Sequence, residues 1–102
     1  MQWYHYFSGF WGGLFLANFV PHFVNGISGN GFPTPFAKPP GKGLSSPVVN
    51  VVWSLFNLVM GYLLFRAGKV SSGDGLSLIV FFAGIAFISI WLAKRFADKE
   101  KM

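Results

Sequence analysis

The chain has 102 residues, of which 53% are apolar and only 11% charged, with a net charge of +5 and no cysteine. A water-facing domain carries about 25% charge, so the composition excludes an ordinary soluble surface and implies a lipid-covered one. The missing cysteine excludes disulfides, thiol catalysis and cysteine metal sites. The positive balance does not point to nucleic acid, because Lys38, Lys42, Lys94, Arg95, Lys99 and Lys101 fall in one loop and a tail beside apolar stretches. Orientation by positive charge and attraction to anionic lipid explain that placement.

Three apolar stretches each approach the ~20 residues that cross hydrocarbon. The first covers 4–24. It opens on Trp3, Tyr4, His5 and Tyr6, rings favoured where hydrocarbon meets headgroups, and it does not read as a cleavable signal. Gly9, Gly13 and Ala17 make a row of small residues at spacing four, which lets another helix approach closely. Asn18, His22 and Asn25 cluster within ~60° on a nearly opposite face. The span is therefore expected to have neighbours on both sides. Pro21 frees the carbonyl of Ala17, so the helix should kink or end there, and a polar side chain should satisfy the freed group.

A connection over 26–46 follows, rich in proline and glycine. Loops of that length are functional or disordered. Its prolines and its two phenylalanines favour an ordered loop on the end of the bundle, with Phe32 and Phe36 in the membrane interface and Lys38 and Lys42 towards headgroups. The second span covers 47–65. Ser46 is a good N-cap and Pro47 suits the first helical position. Asn50, Ser54, Asn57 and Gly61 share one face of it. After a short polar turn, in which Ser72 or Asp74 would cap the next helix, the third span covers 76–93. Its small residues Ala83, Gly84, Ala86 and Ser89 are expected to meet glycines of the first span. A charged tail covers 94–102.

The expected fold is an all-α integral membrane protein with three transmembrane helices in a single domain and a long Pro/Gly-rich loop between helices 1 and 2. Six basic side chains on the loop-and-tail side against two on the other put the N-terminus outside and the C-terminus in the cytoplasm. A bacterial inner membrane is the expected location.

Asn18, His22, Asn25, Asn50, Ser54 and Asn57 should converge in the inner half of the bundle. Polar residues at that depth face protein or a wet cavity. The plainer reading is hydrogen-bonding glue between helices; the alternative is a ligand site or a proton relay centred on His22. No acidic residue lies in any span, which argues against a proton-coupled exchanger. No metal site and no cofactor are expected: His5 and His22 are ~25 Å apart along one helix. Lys38 and Lys42 with Ser45 and Ser46 at a helix start form a candidate anion site for a lipid phosphate or phosphorylated ligand. The plainer reading there is a capped helix with two interface lysines. No catalytic residue is assigned.

The favoured function is non-enzymatic and works through assembly, as a homo-oligomer or with a partner membrane protein, with membrane lipids as neighbours and no nucleic acid. An oligomeric transporter or channel lined by Asn18, His22, Asn50 and Asn57 is the alternative. A lipid-modifying enzyme using His22 comes third.

Overall fold

The computed structural model of the chain describes residues 2–39, 43–71 and 73–97. Among them the chain forms three α-helices and no strand: α1 (Trp3–Ile27), α2 (Pro47–Ala67) and α3 (Gly75–Phe96). Each start has a local cause. The Gln2 N–H donates to His5 Nδ1 at 3.1 Å, which gives the interfacial histidine a capping role. Ser46 Oγ accepts from the Val49 N–H at 3.2 Å, with Pro47 next in line. Asp74 Oδ1 accepts from the Ser77 N–H at 3.4 Å, so Asp74 caps α3; Ser72 lies outside the described residues. At the end of α2 the Gly68 N–H bonds the Leu64 carbonyl at 2.8 Å.

α1 does not end at Pro21. It runs on to Ile27, because the N–H that proline lacks costs one bond of a long ladder while the rest of the turn stays packed. The polar side chains nearest the Ala17 carbonyl bond elsewhere: Asn18 to Asn57, His22 to Asn50, and Asn25 Nδ2 to the Pro21 carbonyl at 2.8 Å.

α1 is the middle helix. It packs against α2 on one side and α3 on the other, while α2 and α3 barely meet. Glycines make both approaches close. A Cβ on Gly12 would lie 2.9 Å from the Phe65 nitrogen of α2. One on Gly13 would collide with the Phe81 carbonyl of α3, and one on Gly84 with the Phe10 carbonyl of α1. Of the small residues on α3, Gly84 makes this contact; Ala83 and Ser89 face outward.

The interior is polar and the exterior apolar. The buried residues of α2 are Asn50, Ser54, Asn57 and Gly61. Those of α1 are four glycines and His22. Large apolar side chains are exposed along all three helices, among them Val20, Val24, Val59, Leu63, Phe82 and Phe87. α2 and α3 are each long and apolar enough to cross a membrane. α1 is long enough too, but its polar residues hold it below the same apolarity.

The loop folds back onto the bundle. Phe32 and Ser45 form an antiparallel bridge, with N–H···O bonds of 3.3 and 3.0 Å. Phe32 is 5% exposed and touches the His22 ring at 5.2 Å and the Phe96 ring at 4.9 Å. It therefore plugs the protein rather than entering the interface, and ties the loop to the end of α3. Phe36 stays 64% exposed, edge-on to Trp53.

Candidate functional site

The polar residues converge beneath this loop, and Asn50 is their hub. It sits in the first turn of α2, fully buried. Its Nδ2 donates to the carbonyls of Phe32, Ser45 and Ser46 at 3.0, 3.2 and 3.1 Å. Those carbonyls fix which end of the carboxamide carries the protons. Oδ1 must then be the atom facing His22 Nδ1, 2.8 Å away. Hence Nδ1 carries a proton and donates to Asn50. A buried carboxamide thus joins α1, both ends of the loop and the start of α2.

One turn deeper, Asn18 Nδ2 donates to Asn57 Oδ1 at 3.0 Å, and Asn57 Nδ2 donates back to the Trp53 carbonyl at 2.8 Å. Ser54 lies between the two pairs and bonds the Val51 carbonyl at 2.6 Å. Asn18, His22, Asn50 and Asn57 are therefore brought together as two interhelical pairs, with Ser54 buried alongside. Asn25 stands apart, its side chain bonding the Pro21 carbonyl of its own helix.

The four anion candidates end up in different surroundings. Ser45 is buried with its hydroxyl on the Thr34 hydroxyl. The Ser46 hydroxyl is engaged as the helix cap. Lys38 is exposed, and Lys42 lies outside the described residues. The glycine row also divides: Gly9 lies against Gly68 and Val70 in the turn after α2, Gly13 against α3, and Ala17 is half-buried.

Because α2 and α3 splay apart, a groove of ≈ 350 Å³ opens between them over α1. Asn18 and His22 lie on its floor, Trp53 and Asn57 on the α2 wall, and Trp91 and Arg95 on the α3 wall. Pro33 to Pro35 roof it. The indole nitrogen of Trp53 is buried and has no hydrogen-bond partner among the described residues. The Arg95 guanidinium lies over the Trp91 and Phe96 rings, 5.5 and 5.9 Å from their centroids. A larger groove, ≈ 640 Å³, runs between α1 and α3 on the other side and has no charged side chain in its lining.

Sequence reasoning missed Thr34, Trp53 and Arg95. Thr34 had no periodicity to mark it, since its place depends on how the loop closes. Nothing in its spacing singled out Trp53 among the many aromatic residues, and Arg95 was placed in the charged tail. A signal existed for Arg95: it lies four residues after Trp91, on the same helical face. At the other end of the bundle Tyr6 Oη donates to Asp74 Oδ2 at 3.5 Å, linking α1 to the cap of α3. Comparison with protein-family models, with curated proteins and with solved structures finds no match for this chain.

Proposed function

We propose that the chain is a small, non-enzymatic integral membrane protein with three spans, acting through assembly as a homo-oligomer or as a subunit beside a partner membrane protein. The observation that carries this reading is the state of the inner polar residues. They are spent on one another. Asn50 and Asn57 are 0% and 1% exposed and hydrogen-bonded, so they lock the bundle rather than line a path. Three helices cannot enclose a solute route alone, which disfavours autonomous transport. A lipid-modifying enzyme is disfavoured too. His22 points its N–H at an amide, and Asp74 is at the opposite end of the molecule.

Membrane insertion is supported by the apolar outer faces of all three helices. α1 crosses with the others because Asn18 and His22 bond side chains of α2 and Asn25 bonds a carbonyl of its own helix. The loop end, with its basic residues, is cytoplasmic, in a bacterial inner membrane; cysteine labelling from outside intact cells checks the sidedness. Native mass spectrometry of the protein released gently from its own membrane tests the assembly. The expected result is a homo-oligomer or a complex with a second membrane protein. A bare monomer would contradict it.

A further inference from the structure

We propose that the groove between α2 and α3 binds an uncharged lipophilic phenol, whose hydroxyl donates to Asn18 Oδ1 beside His22 Nε2. The site goes beyond the assembly reading. It takes from the membrane reading only the ligand's route, sideways from lipid between two helices that barely meet.

The polar floor follows from the direction of each hydrogen bond. Asn57 Nδ2 donates to the Trp53 carbonyl, which can only accept. Asn57 Oδ1 is then the atom that faces Asn18, and Asn18 Nδ2 donates to it at 3.0 Å. Asn18 Oδ1 is left as an acceptor. His22 stands four residues further on, on the same face of α1. Its Nδ1 is taken by Asn50, which leaves Nε2. Among the described residues the Trp53 indole nitrogen is the one enclosed side-chain polar atom without a partner. Asn18 Oδ1 and His22 Nε2 have no partner among those residues either, so both keep accessible surface. His22 as a whole is only 4% exposed, and the lining of the groove includes both residues. A buried polar atom without a partner is costly where no water reaches it. A hydroxyl suits this pair: it donates to an amide oxygen, and it bonds an imidazole nitrogen as donor or as acceptor.

The walls select the body of the ligand. Phe15 of α1, Trp53 of α2, and Trp91 and Phe96 of α3 line the groove, and aromatic rings pack well edge-on or offset against others. The volume of ≈ 350 Å³ falls in the ~300–1,000 Å³ range of small-ligand sites. No carboxylate is in the lining. The Arg95 guanidinium is already stacked on Trp91 and Phe96. Neither sign of ligand charge is therefore called for. The larger groove between α1 and α3 is an internal control, since its lining holds no amide or imidazole side chain.

The test uses the full chain in liposomes and a para-butylphenol with a photoreactive diazirine on its tail. Saturable crosslinks are expected on the groove walls, at Leu14, Ile88 and Leu92. Unlabelled para-butylphenol should compete at least about three-fold better than para-butylanisole or butylbenzene at equal membrane concentration, the net worth of one hydrogen bond. The anisole keeps the ring and the oxygen and lacks the donated proton. Leu14→Trp fills the groove and should abolish saturable labelling, while Ser89→Ala in the other groove should leave it unchanged. Asn18→Leu would also break the pair with Asn57, so the anisole comparison on the unaltered chain decides the donor role. Equal competition by phenol and anisole, saturable labelling that survives in Leu14→Trp, or labelling spread over the outer helix faces would overturn the proposal. A chain that does not insert into liposomes contradicts the membrane reading, and the same competition in detergent micelles then decides the site on its own.

Discussion

At the scale of single residues, Asn50 shows why a buried carboxamide is hard to replace. It offers two protons and an acceptor, and all are engaged, by the carbonyls of Phe32, Ser45 and Ser46 and by His22. Asn50→Leu keeps the volume but strands the His22 N–H, while the carbonyls of Phe32 and Ser45 lose one bond each and keep their bridge N–H. A stranded buried group costs about 1–3 kcal/mol, so a loss of about 2 kcal/mol or more is expected. Asn57→Leu breaks one interhelical pair and should cost about 0.6–2 kcal/mol. Denaturation of both variants in lipid checks the order, and a His22/Asn50 double-mutant cycle should give a coupling of about 1 kcal/mol. Asn57 proving the costlier of the two would remove Asn50 from the centre of the site. The stripe Asn50, Ser54, Asn57 and Gly61 was legible from spacing, because helical periodicity alone puts those residues on one face. Its partners in the loop were not. Thr34 and Ser45 meet through a turn whose geometry no local pattern dictates.

At the scale of helices, the Gly12–Gly13 pair lets α1 serve two neighbours at once. Adjacent positions on a helix are 100° apart, and here one faces α2 and the next faces α3. The row Gly9, Gly13 and Ala17 suggested one contact face. Of that row, Gly13 meets the backbone of α3, while a Cβ on Gly9 would meet the Val70 side chain in the turn after α2. Gly12→Val and Gly84→Val should each cost about 3 kcal/mol or more, since the obstacle is backbone and cannot move aside. Gly75→Ala, with nothing within 4 Å of its new Cβ, should change stability by less than ~0.5 kcal/mol. Thermal denaturation in detergent separates the three. Tolerance of valine at Gly84 would contradict the close α1–α3 approach. Helix ends were largely readable, with Ser46, Pro47 and Asp74 acting as their chemistry demands. Of the two outcomes open at Pro21, an early end is excluded, because neighbouring turns carry the helix on to Ile27.

At the scale of the whole molecule, the polar residues are inside and the apolar ones outside, the reverse of a water-soluble domain. The proposed membrane setting accounts for that arrangement: where the surroundings are hydrocarbon, buried amides hold helices together and exposed valine and phenylalanine cost nothing. Composition alone anticipated this. The splay of α2 and α3, and the groove it leaves, were not legible, since they depend on which glycines meet which backbone. The central claim is that lipid covers the outer faces of all three helices, α1 included. Because the chain has no cysteine, single cysteines report cleanly. Val20→Cys, Val59→Cys and Phe82→Cys each lie on an exposed face of one helix. With a membrane-impermeant maleimide, all three should stay unlabelled in intact and in opened membranes, and react only after denaturing detergent. Ser71→Cys in the turn after α2 should label from outside intact cells, and Lys38→Cys only once the membrane is opened. Labelling of Val20, Val59 or Phe82 cysteines in undissolved membranes would place that helix in water and contradict the account.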